Sequence, residues 1–69
     1  SLRIEQIVRQ VINESGNTEA IIGRKVFESN GVNKSRLLQA REKTRDRGII
    51  DFGKRLDANG IEYTWYKLK

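Results

Sequence analysis

The sequence contains no cysteine, histidine or proline, and each absence narrows what the chain can do. Without cysteine it forms neither a disulfide nor a thiolate metal site. Without histidine it lacks the commonest general base and the commonest neutral metal ligand. The absence of proline favours uninterrupted helices and a hairpin. No apolar run approaches the roughly 20 residues that span a membrane. The nine carboxylates show no spacing typical of a metal or acid–base pair, so we expect no enzyme activity, metal or cofactor.

The 69 residues suffice for one small domain, 1–69, which we expect to be excised from a larger protein. The net charge of +5 is unevenly spread. Residues 1–30 contain four basic and four acidic side chains, whereas residues 31–69 contain ten basic and five acidic side chains. A neutral half followed by a cationic half suggests a scaffold and a polyanion-binding face. The alternative is an ordinary solvated surface, since a third of all residues are charged.

The first stretch, 1–14, has the clearest amphipathic pattern. Its apolar residues recur at the positions i, i+3, i+4, i+7 and i+8 of one helical face: Ile4, Ile7, Val8, Val11 and Ile12. Ser1 is a candidate cap for this helix, and Gly16 is a candidate helix end. The apolar stripe favours packing against the rest of the domain. The alternative is a helix that dimerises.

A second helix is expected from residue 19 or 20 to Ser29, with Gly23 inside it. Its predicted core residues are apolar: Ile22, Val26 and Phe27, with Ile21 as a candidate to join them. Gly31 follows this helix, and Val32 is expected to pack the turn onto the core. The connection to the next helix is only a few residues long, which is the spacing of a helix-turn-helix.

The third helix is predicted over 33–47. Asn33 is a good N-cap, because its side-chain oxygen can accept a hydrogen bond from a free N–H group of the first turn. Leu37, Ala40 and Thr44 share one helical face. Gly48 is the residue type that ends a helix in the left-handed conformation. The segment contains six basic and two acidic side chains. A narrow stripe is therefore expected to hold the helix to the core while a polar, cationic face points outward.

After the third helix the hydrophobic period changes from 3.6 to 2, which predicts a β-hairpin. The first strand begins at Ile50, and the return strand spans 61–68, which is rich in β-formers. Residues 57–60, DANG, form a turn cluster whose Asn-Gly pair is the strongest two-residue hairpin signal. Phe52 and Trp65 are predicted core residues. The alternative for both is a platform on which unpaired bases stack.

Three helices followed by a two-stranded antiparallel hairpin, with a basic third helix, resemble the winged helix-turn-helix superfamily. The resemblance is carried by the run GVNKSRL at 31–37 and by RGII at 47–50, where the helix leads into the hairpin. The tail TWYKL at 64–68 is more loosely similar to the winged helix that ends some phage and mobile-element replication ATPases or helicase-primases. The resemblance implies an α+β fold. Because no GxxxxGK[ST] motif is present, it also implies an appended module and not the motor itself.

The resemblance further implies that the third helix enters the major groove of double-stranded DNA and that the hairpin forms a basic wing on the backbone. The implied nucleic-acid-binding residues are Asn33, Lys34, Ser35, Arg36, Gln39, Lys43, Lys54 and Arg55. Gln39 can pair with adenine, and the lysines can reach guanine acceptors or phosphates. Arg36 and Arg41 either clamp phosphates or lie along the core edge. Leu38 either touches a thymine methyl group or is a plain surface leucine.

Several other side chains are compatible with functions other than binding double-stranded DNA. Glu42 and Asp46 interrupt the basic helix and weaken the case for a sequence-independent polyanion binder. Arg45 and Arg47 could simply pair with Glu42 or Asp51 at the surface. A protein–protein interaction module, in which positive charge only keeps the domain soluble, is the main alternative to DNA binding. A weaker alternative is single-strand recognition by exposed aromatic side chains, Trp65 and Tyr63.

The expected partner is thus double-stranded DNA, contacted by one module of a replication or transcription-regulatory protein. A single small helix face covers few bases, so a homodimer or a neighbouring domain of the parent protein is expected to help. We expect no membrane association, and we expect a cytoplasmic or nuclear location.

Overall fold

The computed structural model describes residues 2–69, which form three helices and a three-stranded antiparallel sheet, an α+β arrangement. In chain order the elements are α1 (Leu2–Ser15), β1 (Glu19–Ile21), α2 (Arg24–Ser29), α3 (Lys34–Asp46), β2 (Ile50–Leu56) and β3 (Glu62–Leu68). The helices pack on one face of the sheet, and the core lies between these two layers. No helix within residues 2–69 has the length and apolar character needed to cross a membrane.

The predicted first helix is confirmed as α1, and its apolar stripe is buried. Ile4, Ile7, Val8 and Ile12 all lie in the core. Gly16 follows with φ +72°, the left-handed conformation expected at a helix end. The predicted cap, Ser1, lies outside the described residues. The domain therefore uses most of the stripe for its own core, and Val11 packs against it partly buried.

The segment between α1 and α2 corrects the predicted second helix. Residues 19–21 form a strand, β1, that pairs antiparallel with β3, with Ala20 opposite Tyr66. Gly23 is not inside a helix but is the N-cap of α2, in an extended conformation with φ −80° and ψ 162°. The short strand gains its backbone hydrogen bonds from β3, far along the chain. Tertiary pairing therefore overrides the local helical pattern.

The core residues predicted for this segment are confirmed only in part. Ile22 and Phe27 are buried. Ile21 is 65% exposed, because it projects from the face of β1 opposite the helices, and Val26 is 40% exposed on α2. Val32 is buried as predicted, and its N–H donates to the carbonyl of Phe27 at 2.9 Å, which holds the α2–α3 turn against the core.

The third helix is confirmed, with the cap and stripe that the sequence predicts. The Arg36 N–H donates to Asn33 Oδ1 at 2.9 Å. Leu37 and Thr44 are buried, and Ala40 packs beside them. Gly48 adopts φ +72° after the helix.

The predicted hairpin is present, but it is not a separate two-stranded unit and its turn is not a two-residue Asn-Gly turn. β3 is the central strand of the order β1-β3-β2. The last strand pair is Leu56 with Glu62, which leaves a five-residue loop, 57–61. Asp57 Oδ1 accepts the N–H groups of Asn59 and Ile61, at 2.8 and 2.9 Å, and the side chain of Asp57 therefore organises the loop. Among residues 2–69, positive φ occurs only at glycines, so Asn59 does not adopt the conformation of a type I′ turn.

The alternation of β3 decides which aromatic side chain enters the core. Tyr66 is buried, with its ring centroid 5.4 Å from Phe27 and 6.0 Å from Phe52. Trp65 precedes it in the strand and therefore points to the other face of the sheet, where it is half-buried. The prediction for Phe52 is confirmed, and the prediction of a core Trp65 is wrong. Leu68 has the parity of Tyr66 and packs on the core.

Candidate nucleic-acid interface

The outward face of α3 is centred on a polar stripe. Residues spaced by four, three and four positions lie on one helical face, and here they are Ser35, Gln39, Glu42 and Asp46. All four are exposed. The stripe lies opposite Leu37 and Thr44, which anchor the helix in the core. The N-terminal half of the stripe is neutral, and its C-terminal half is anionic.

Cationic side chains flank this stripe. Lys34 lies on one side of it, and Arg36, Lys43 and Arg47 lie on the other, all exposed to solvent. Within residues 2–69, five predicted site residues make no side-chain hydrogen bond or ion pair: Lys34, Ser35, Arg36, Gln39 and Lys43. Their charged and polar groups are therefore available to an external ligand without breaking an internal contact.

Asn33 has a different role from the other predicted site residues. Its Oδ1 already accepts the Arg36 N–H at 2.9 Å. The oxygen that could read a base is thus used to hold the first turn of α3. Asn33 positions the neighbouring Lys34 and Ser35 and keeps the start of the helix ordered.

Arg41 and Arg45 pack against the sheet and are partly buried. Arg41 Nη1 donates to Tyr66 Oη at 3.1 Å, and its guanidinium lies 4.7 Å from the Phe52 ring centroid. Arg45 lies 4.3 Å from the same centroid and donates to Glu42 at 2.7 Å. Of the two roles considered for Arg41, the structure therefore has it at the core edge, while Arg36 is exposed.

Asp51, the other candidate partner of these arginines, is used elsewhere. Its Oδ1 accepts the N–H of Phe52 at 2.9 Å. Of the two surface pairings considered for Arg45, the structure contains the one with Glu42.

The hairpin does not bring Lys54 and Arg55 together. As neighbours in β2 they point to opposite faces of the sheet. Lys54 lies on the face that also packs the helices, and its Nζ is 3.5 Å from Glu62 Oε1. Arg55 lies on the outer face, where it pairs with Glu19 at 3.1 Å. Only Lys54 therefore shares a side of the sheet with α3.

The outer face of the sheet contains a cluster that sequence reasoning missed. Trp65 lies over Gly53, and the guanidinium of Arg55 and the Nζ of Lys67 lie 5.0 and 5.6 Å from a ring centroid of the indole. Ile21 is the partner of Trp65 in β1. The one available sequence signal was the strand glycine, since a strand glycine often marks the close approach of another group.

Residues 2–69 contain no group of three or more acidic side chains arranged to hold a metal ion. Comparisons with protein-family models, curated proteins and solved structures found no match to this chain.

Proposed function

We propose that this domain binds double-stranded DNA, with α3 in the major groove and the β2–β3 hairpin acting as a wing on the adjacent backbone. In this proposal the domain is a winged helix-turn-helix and serves as a module of a replication or regulatory protein. The observation that carries the proposal is the division of α3 into two faces. Leu37 and Thr44 fix one face in the core, whereas Lys34, Gln39 and Lys43 are exposed and make no side-chain hydrogen bond or ion pair within residues 2–69.

The dimensions and chemistry of α3 support this proposal. The major groove is wide enough to admit an α-helix, and its base edges present hydrogen-bond donors and acceptors. Gln39 provides a side-chain amide at the centre of the exposed stripe, and such an amide can pair with adenine. Lys34 and Lys43 are long enough to reach phosphates on either side.

The charge distribution also supports DNA as the ligand. All of the net +5 lies in residues 31–69, the half of the chain that contains α3 and the hairpin. The start of α3 adds the positive end of the helix dipole close to Lys34. Each phosphate neutralised by such a cation releases counterions, and this release gives DNA binding its affinity and its salt dependence.

The test is fluorescence anisotropy with a mixed-sequence duplex at two salt concentrations. Binding by the unaltered domain should weaken steeply with salt, and Lys34→Ala/Gln39→Ala should lose affinity and reduce the salt slope by about 0.9 for the phosphate contact removed. The control is Lys25→Ala/Gln6→Ala, which removes the same side-chain types from the exposed surfaces of α2 and α1. No binding at low salt, or equal losses in the two variants, would overturn the proposal.

A protein-interaction module is the second candidate, and the outer face of the sheet favours it. There Ile21 is 65% exposed beside the half-buried Trp65, and charged residues surround both. Apolar and aromatic centres with polar rims are typical of protein interfaces. If no duplex binds at low salt, this outer face becomes the surface to test for a protein partner.

A further inference from the structure

Glu42 is an anion at the centre of a surface flanked by cations. It follows Gln39 in the exposed stripe of α3, and its side chain is 53% exposed. A carboxylate at this position repels the phosphates that the flanking lysines attract. On a surface that bound DNA by charge alone, Glu42 would only lower the affinity.

The Glu42 carboxylate is held in place by Arg45, which itself packs on the buried Phe52. Phe52 is buried in β2, and the Arg45 guanidinium lies 4.3 Å from its ring centroid. Arg45 Nη2 then donates to Glu42 Oε2 at 2.7 Å. Within residues 2–69, the second oxygen of Glu42, Oε1, accepts no hydrogen bond. The arrangement presents one oriented acceptor oxygen to whatever α3 contacts.

We propose that Glu42 is a specificity-determining residue, which reads the N4 amino group of cytosine in the major groove. This inference rests on the proposed DNA-binding function. In the major groove guanine presents only acceptors and thymine presents an acceptor and a methyl group, so both are poor partners for a carboxylate. Adenine presents an amino group beside the acceptor N7. Cytosine alone presents a donor with no acceptor on the same base, and it is therefore the best match for Glu42.

The position of Glu42 relative to Gln39 extends the inference to neighbouring base pairs. Three residues along an α-helix correspond to a rise of about 4.5 Å. Successive base pairs are separated by about 3.4 Å along the duplex. Gln39 and Glu42 thus lie at a spacing suited to adjacent base pairs. With Gln39 directed to adenine, the preferred site contains an adenine and a cytosine in neighbouring pairs.

The test selects binding sites from a randomised duplex library with the unaltered domain, Glu42→Gln and the control Glu14→Gln. Glu14 is exposed at the end of α1, so the control makes the same chemical change away from α3. The unaltered domain should select a site with a defined cytosine. Glu42→Gln should lose about tenfold discrimination at that position alone, the typical size of a single base-pair mismatch effect. It should also bind mixed-sequence duplex more tightly, because one repulsive charge is gone.

Each other outcome has a definite meaning. If Glu42→Gln selects the same sequence with the same discrimination, Glu42 does not read a base. If the unaltered domain binds duplex without any sequence preference, the inference fails while the proposed function stands. If no duplex binds at low salt, the proposed function and the inference fail together. Circular dichroism melts confirm that each variant is folded, and Glu42→Ala serves as a second variant that removes the acceptor without substituting an amide.

Discussion

The indole ring of Trp65 lies so close to Gly53 that a Cβ atom at position 53 would sit 2.5 Å from Trp65 Cζ2. The two residues are cross-strand partners on the outer face of the sheet. The close contact with Trp65 therefore explains why a glycine is needed at position 53. The backbone conformation does not require it, because the φ of Gly53 is not in the left-handed region.

Gly53→Ala should destabilise the domain by about 1–3 kcal/mol, because the added methyl group overlaps the indole and forces it to move. The free energy of unfolding would be measured by urea denaturation followed by circular dichroism. In a Trp65→Ala background the same substitution should cost little, since the overlapping ring is gone. An equal loss in both backgrounds would show that the indole is not the cause.

Tyr66→Phe should lower the free energy of unfolding by about 0.5–1.5 kcal/mol, the usual value of one hydrogen bond. The hydroxyl group that it removes accepts from Arg41 at 3.1 Å. Tyr63→Phe is the matched control, because within residues 2–69 the Tyr63 hydroxyl makes no hydrogen bond. Equilibrium denaturation of the two variants should therefore separate them. If both lose the same stability, the Arg41 contact contributes nothing.

Asn33→Ala should cost about 1 kcal/mol through loss of the N-cap of α3. Asn17→Ala, in the loop after α1, removes an exposed asparagine side chain that caps no helix and should be nearly neutral. Thermal melts of the two variants provide the comparison. Because Asn33 also holds the first turn that presents Lys34, we expect its replacement to weaken duplex binding as well. Unchanged stability in Asn33→Ala would contradict the assigned capping role.

Lys54→Ala and Arg55→Ala should differ in their effect on DNA binding, although both remove one cation from the same strand. Both cations are paired, Lys54 with Glu62 and Arg55 with Glu19. They differ in position, because Lys54 shares the helix side of the sheet with α3 and Arg55 lies on the opposite side. Lys54→Ala should therefore reduce the salt slope of duplex binding by about 0.9, the value of one phosphate contact. Arg55→Ala should leave the slope nearly unchanged. The reverse order would place the DNA on the outer face of the sheet.

The elements that the sequence predicts correctly are those with strong local patterns. The apolar stripe of α1 can be predicted from residues close together in the sequence. The same is true of the Asn33 cap of α3, of its end at Gly48, and of the change to period two before β2. β1 was missed because three residues carry too little pattern to compete with a helical interpretation. Its pairing partner is β3, more than 40 residues later, and no local rule connects the two.

The choice between Trp65 and Tyr66 shows a second limit. The two aromatic residues are adjacent, so only one of them can point toward the core, and strand alternation alone does not identify which one. In the structure Tyr66 is the cross-strand partner of the buried residues Ala20 and Phe52, and it therefore faces the core with them. The exposed residues of the candidate site on α3 followed from helical periodicity. Lys54 and Arg55 were expected together on the wing, although strand alternation places neighbouring residues on opposite faces of a sheet. The contact of Arg41 with Tyr66 required the packed structure.

The hydrogen bond from the Phe52 N–H to Asp51 Oδ1 has a consequence for self-association. The carbonyl of Ile49 accepts from Lys69 N–H at 3.1 Å, so the backbone groups of odd-numbered residues in this stretch face β3 and those of Phe52 face the open edge of the sheet. The free N–H groups of an open edge can form hydrogen bonds with a strand of another chain, and proteins commonly block such edges with charged side chains. Asp51 occupies one of these amides from within the strand itself. A fourth strand arriving at β2 would have to displace a carboxylate first, and this protects the domain against the edge-to-edge growth that leads to aggregation.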